Sequence, residues 1–279
     1  FNANSHDLIF FFSDKGFMYW LNVYEIPEGS RTSKGKAIVN MIKVEPGDRI
    51  RAMLTVKKED FEDDNKFIIM ATRRGYIKKT QLSAFANLRR TGLRALVIED
   101  DDDLIGADLC ENGNEILLSS AYGMACRFNQ SDEEIRPMGR TARGVTGMRF
   151  KIDGDYLVSM AVIHESLGGE ASDEEDVEEP LTVDEDGVLP EAGQGPEIMV
   201  ISDGGMGKRS LVTTYRKTRR GAKGVVSMKL RDGELVVDAV QITPGDELLI
   251  TTERGLLVRI PVDEVRQTGR AAKGVRIMN

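Results

Sequence analysis

The chain has 279 residues, 41% hydrophobic and 30% charged, which is enough for one large β domain or two smaller ones with a real core. No apolar run is long enough to span a membrane, and LIFFF at 8–12 lacks the flanks of a signal peptide; two cysteines, Cys110 and Cys126, suit a reducing cytosol rather than a disulfide scaffold, and the two separated histidines, His6 and His164, exclude a zinc cluster. The net charge of −8 argues against nucleic acid only until residues 165–197 are set aside, because that segment holds thirteen acids and no Lys or Arg and leaves the rest at +5.

The chain opens on Phe1 rather than Met and so reads as a fragment or processed chain. LIFFFSDKGFMYWL (8–21) is a short apolar run, a turn closing on Gly16 and a second apolar run, the pattern of a β-hairpin whose last loop position takes positive φ. A polar stretch with RTSKG (31–35) follows, then a strand-like segment, PGDRIRAMLTV (46–56). FIIMATRRGYIKKT (67–80) is the second hairpin, followed by LSAFANLRR (82–90), long enough for one helical turn, and by DDDLIGADL (101–109). ILLSSAYGMACRF (116–128), RTARG (140–144) and DGDYLVSMAVI (153–163) repeat the series. Beyond the acidic segment come IMVISDGGMGKRS (198–210), TRRGAKG (218–224) and DGELVVDAVQI (232–242), then LLITTERGLLVRI (248–260), another single helical turn in VDEVRQTG (262–269), and RAAKG (270–274).

Five hairpins at a period near 50 residues, each with about four strand segments, predict an all-β chain: a propeller-like ring of five to six four-stranded blades. The repeats fall at about 1–56, 57–110, 111–163, 198–242 and 243–279 within a single domain. Residues 165–197 form an acidic insertion that composition predicts to be largely disordered, either a solvated loop between blades or a DNA mimic competing for basic surface. Amphipathic helices of the length an α/β fold needs are absent.

Four repeats carry the pentad R-x-x-K/R-G, its Gly 19 to 21 residues behind the hairpin Gly; in the repeat starting at Phe67 the Gly is shifted and LRRTGLRAL (88–96) keeps the cations. The pentad is not a nucleotide loop, since a strand rather than Lys-Ser/Thr and a helix follows its last Gly. One such loop would be an ordinary solvated turn. Recurring loops at equivalent places make a stripe of cations able to neutralise duplex phosphates without reading bases. The predicted DNA-binding residues are Arg31, Lys34 and Lys36; Arg89 and Arg90; Arg140 and Arg143; Arg216, Lys217, Arg219, Arg220 and Lys223; and Arg270 and Lys273. Lys78, Lys79, Arg127, Lys208, Arg209 and Arg259, just behind the hairpin glycines, would widen the stripe or form an ordinary exposed strand face.

The hairpin-plus-pentad unit resembles the C-terminal domain of the DNA gyrase A subunit, most sharply in SHDLIFFFSDKGFMYWLNVYEIPEGSRTSKGKAIVNMI (5–42), and also in MATRRGYIKKTQLSAF (70–85) and KRSLVTTYRKTRRGAKGVVSMK (208–229). The corresponding domain of topoisomerase IV is similar but less close. The resemblance covers essentially the whole chain and implies a β-pinwheel whose neighbouring blades exchange strands. It also implies double-stranded DNA bent around the rim and presented for strand passage and negative supercoiling. The family's box, Q-R-R-G-G-K-G, has no perfect copy; TRRGAKG departs from it at Thr218 and Ala222, and five repeats stand where six are usual. The resemblance further implies the rest of gyrase A, together with gyrase B, as partners, an isolated domain that is monomeric, and no membrane. It implies a bacterial cytoplasmic, nucleoid-associated location, and no cofactor here, ATP and magnesium being used elsewhere in the enzyme. No catalytic residue or metal ligand is expected, and the six tyrosines read as core or rim residues. The competing readings are a protein-interaction propeller with an incidental basic rim, and an enzyme on a propeller scaffold, for which no convergent polar site is visible.

Overall fold

A computed structural model describes residues 3–30, 33–164, 195–252 and 255–278. The strands begin with β1 (Leu8–Ser13), β2 (Phe17–Asn22), β3 (Ile50–Val56), β4 (Lys66–Thr72), β5 (Tyr76–Gln81) and β6 (Leu93–Arg94). There follow β7 (Leu104–Glu111), β8 (Glu115–Ser120), β9 (Met124–Asn129), β10 (Val145–Thr146), β11 (Leu157–Ile163) and β12 (Glu197–Ser202). The last are β13 (Met206–Leu211), β14 (Val225–Val226), β15 (Val236–Ile242), β16 (Glu247–Thr251), β17 (Leu257–Pro261) and β18 (Val275–Arg276). All five predicted hairpins are present, and the two predicted helical turns appear as 3-10 turns at Leu82–Phe85 and Val262–Glu264.

Four sheets have four strands, in the orders β3-β1-β2-β6, β7-β4-β5-β10, β11-β8-β9-β14 and β15-β12-β13-β18; β16 and β17 pair alone. In each full sheet the hairpin takes the linker strand that follows it on one side. On the other side it takes a two-residue strand from the repeat after that. This is the strand exchange of a pinwheel: β6, β10, β14 and β18 each lie just behind a basic loop and pair antiparallel to the second hairpin strand of the preceding repeat.

The chain divides into two compact units, Phe1–Asn112 with Ser131–Thr146, and Gly113–Gln130 with Gly147–Asn279. The division passes through the third repeat, whose hairpin belongs to the second unit and whose short strand β10 belongs to the first. Strand β1 is buried along its whole length, which explains its unbroken apolar run: alternate residues serve two cores. Leu8, Phe10 and Phe12 pack with Met18, Ile68 and Phe85, while Ile9 and Phe11 pack with Tyr19, Leu21 and Ile42. In the second unit Ile198 and Val200 pack with Leu117, Tyr215 and Met228, and Met199 turns the other way to Ile242 and Val262.

Of the expected insertion, residues 165–194 lie outside the described residues, and Glu197 instead opens β12 with its side chain buried. Cys110 and Cys126 are both buried, and neither is in a disulfide. No helix among the described residues is long and apolar enough to cross a membrane.

Candidate nucleic-acid interface

The basic loops are shaped by where their closing glycines sit. A Cβ on Gly144 would meet the Ile77 carbonyl oxygen at 2.5 Å, on Gly224 the Ala125 oxygen at 2.4 Å, and on Gly274 the Gly207 oxygen at 2.6 Å. All three have φ between 78° and 99°, so both space and backbone conformation require glycine. Gly92 occupies the same place, 2.7 Å from Tyr19 by the same measure and with φ 84°. The loop that sequence spacing sets apart as shifted is therefore a full member of the series, shortened ahead of the glycine. The first pentad differs. Arg31 lies outside the described residues, a Cβ on Gly35 would meet nothing within 4 Å, and a 3-10 turn at Ile38–Asn40 follows where the others have a strand.

Successive loops are tied to one another. The middle residue of three pentads, Ala142, Ala222 and Ala272, accepts a backbone hydrogen bond from Val97, Arg149 and Lys229 respectively, at 3.1–3.3 Å. Each donor lies just beyond the short strand of the preceding loop. In the first unit this aligns the loop at 88–97 with that at 140–144; in the second it aligns 220–224 and 270–274 in sequence.

The structure corrects the expectation for the cations of the hairpin strands. Lys78, Lys79 and Lys208 have no exposed surface, so none of them faces a phosphate. Lys78 Nζ donates to the carbonyls of Ala95 (2.6 Å), Arg140 (2.7 Å) and Ala142 (3.2 Å), fixing the pentad from beneath. Burial pushes its ammonium down to about 8, with Arg140 adding to the effect. Lys208, at the matching place in β13, donates to Ser210 Oγ at 2.8 Å and the Gly269 carbonyl at 3.3 Å; burial holds its pKa well below the usual lysine range.

The next residue along each strand is a staple to the following repeat. Lys79 pairs with Asp132 at 2.7 Å and lies over the Phe67 ring. Arg127, buried, pairs with Glu115 at 2.6 Å and donates to the Val212 and Tyr215 carbonyls; the buried Lys217 shares Glu115 at 2.7 Å. Arg209 repeats the arrangement, donating to Glu197 at 3.1 Å and to the Val265 carbonyl, with Gln267 where the earlier site has Lys217. Arg127, Arg209 and Lys217 thus have structural partners where the sequence suggests phosphate contacts. Arg270 also differs from expectation: it is buried and donates to the Val226 carbonyl at 2.7 Å.

The remaining cations lie outward. Lys34, Lys36, Arg89, Arg90, Arg219, Arg259 and Lys273 are exposed, and Arg140, Arg143, Arg216, Arg220 and Lys223 are half-buried. Arg90 sits over the Trp20 ring and pairs with Glu25 at 2.9 Å, while the Arg143 guanidinium carbon lies over the Tyr76 ring, 4.0 Å from its centre. Sequence reasoning missed four exposed cations beside the pentads, Arg149, Lys151, Lys229 and Arg231. Their signal was present: MRFK (148–151) and MKLR (228–231) stand equally far behind Gly144 and Gly224. Among the described residues no group of three or more His, Cys, Asp or Glu is placed to hold a metal ion.

The family described as "DNA gyrase C-terminal domain, beta-propeller" matches residues 7–57, 66–111, 114–164, 196–243 and 246–279, one segment per hairpin. The DNA gyrase A subunit of Chlamydia muridarum is 37% identical over 250 residues, covering 88% of this chain and 26% of that protein. Its Haemophilus influenzae counterpart is 37% identical over 251 residues, covering 88% and 27%. The chain therefore spans about a quarter of the length of these relatives. Among solved structures, a C-terminal domain of DNA topoisomerase IV superposes with a TM-score of 0.78 at 25% identity, covering 99% of this chain and 76% of the other. A DNA gyrase A C-terminal domain superposes at 0.74 and 24% identity, covering 99% and 79%. Repeat by repeat, and over most of its length, the chain belongs to the family of DNA gyrase C-terminal domains.

Proposed function

We propose that this chain binds duplex DNA with little sequence preference, bends it along the outward cations of its basic loops, and serves DNA gyrase by presenting a segment for strand passage and negative supercoiling. The observation that carries the reading is the tying of successive basic loops within each unit, by the Ala142 carbonyl in the first and the Ala272 carbonyl in the second, which sets their cations in order along that unit. Such a row neutralises phosphates and releases counterions while leaving base edges unread. The chemistry of cleavage and ATP hydrolysis, with its magnesium, belongs to gyrase B and to the rest of gyrase A, and this chain needs no cofactor. Its setting is the bacterial cytoplasm, on the nucleoid. The isolated chain works as a monomer and has no membrane role. Its repeats act as a single DNA-binding domain.

The TM-score of 0.78 to a topoisomerase IV domain supports a second reading, the equivalent role in that enzyme. The 37% identity to gyrase relatives favours the first. Nuclease footprinting on a long duplex tests the shared part. Protection over tens of base pairs with a repeat of about ten is the expected outcome. No protection at low salt would rule out DNA binding by this chain. Introduction of negative supercoils by a full enzyme carrying this chain separates gyrase from topoisomerase IV.

A further inference from the structure

Behind Gly92, Gly144 and Gly224 the chain runs through a short strand into a second stretch, and the charge of that stretch reverses between the units. Five and seven residues after the glycine stand Arg149 and Lys151 behind Gly144, Lys229 and Arg231 behind Gly224, and Val97 and Glu99 behind Gly92. These positions are equivalent in space as well as in spacing, because the backbone N–H groups of Val97, Arg149 and Lys229 make the same bond to the next pentad. In the second unit the stretches at 149–151 and 229–231 therefore run beside the pentads at 220–224 and 270–274. All four of their cations are exposed, and Arg149, Lys151 and Lys229 make no ion pair among the described residues.

In the first unit the same stretch reads VIEDDDD (97–103). Glu99 pairs with the pentad cation Arg143 at 2.5 Å and with Arg74 at 3.3 Å. Asp101 pairs with Arg74 at 2.8 Å, and Asp103 with Lys15 at 2.8 Å. Asp102 acts differently, being buried and accepting the Arg74 backbone N–H at 2.9 Å, which caps the hairpin turn. Carboxylates within a Debye length, about 10 Å at 0.1 M salt, repel an approaching phosphate and compete for the cations it needs.

We propose that DNA is held by a double row of cations in the second unit, the pentads flanked by Arg149, Lys151, Lys229 and Arg231, and that Glu99, Asp101 and Asp103 keep phosphate off the matching row of the first. The inference rests on the DNA-binding reading and assigns it a side. Titrating the chain with a labelled duplex across salt concentrations tests both halves, since each neutralised phosphate adds about 0.9 to the slope of log K against log salt. R149Q/K151Q/K229Q/R231Q changes only exposed side chains; its slope should fall by about 3 to 4, with affinity down roughly tenfold or more. E99Q/D101N/D103N should bind several-fold tighter, with a slope steeper by up to about 3 as Lys15, Arg74 and Arg143 become available. The proposal is overturned if the first variant binds like the parent chain, or if the second is unchanged or weaker. Loss of binding in R219Q/K223Q/K273Q with the first variant unaffected would sink this inference and leave the broader reading standing. A parent chain without salt-dependent binding would sink the broader reading itself.

Discussion

A lysine cut off from water must find acceptors inside the protein, and Lys78 finds three backbone carbonyls. Below pH 8 the ammonium is protonated in both the folded and unfolded chain. Between about 8, its folded value, and the ordinary 10.5, the unfolded chain binds more proton, so this group makes the fold more stable as pH rises through that window. K78M removes the titration and takes the lysine donor from the Ala95 and Arg140 carbonyls, while Ala142 keeps the Val97 N–H. Expected at neutral pH are a loss of about 2 kcal/mol and faster amide exchange across 140–146. The stability gap between parent and variant should widen from pH 8 to 10.5, and a gap that stays flat in urea titrations across that range would refute the buried ammonium. Nothing local in YIKKTQ marks these lysines as internal; Arg140 and Ala142 are 62 and 64 residues further on. In sequence, Lys78 looks like Lys273, which is exposed. The glycines were easier to read, because a demand for positive φ leaves one residue type to choose.

The hairpin strands were legible as elements because their apolar runs come in pairs about a turn that closes on glycine. The exchanged strands were not, since two residues carry no periodicity and their partners are set by topology. That each fourth strand comes from the next repeat followed only from the family resemblance. The staples between repeats give this element-level coupling a measurable strength. Glu115 compensates two buried cations, Arg127 and Lys217, whereas Glu197 serves Arg209, which also reaches Asp263, together with the uncharged Gln267. E115Q should therefore cost about 3–5 kcal/mol, and E197Q clearly less. Thermal melting of the two variants decides the order, and equal losses would mean that Lys217 adds no uncompensated charge.

Across the whole chain, sorting cations by exposure separates binding from support. R219Q/R220Q/K223Q is expected to weaken DNA binding most, because its loop also carries Arg216. The pair at 270 and 273 should split: K273Q lowers DNA affinity and leaves the melting temperature alone, while R270Q lowers the melting temperature by removing the donor on the Val226 carbonyl. Duplex titration and calorimetry on the two single variants measure both effects. The overall basic character was visible once the acids of 165–197 were set aside. Which cations face outward was not, since exposure depends on strand partners that no single repeat contains.

The forward donation of short strands has a consequence for how such a chain can change length. Among the described residues the second to fifth repeats each hand a short strand back to their predecessor, and the first to fourth each receive one. Excising one repeat in full leaves a giver opposite a receiver of the same pattern, and the register survives. Excising half of one strips a hairpin of its outer partner and bares a row of backbone donors and acceptors. Growth and shrinkage in this architecture are therefore quantised: a viable splice falls at a repeat boundary, and the number of basic loops changes by whole steps.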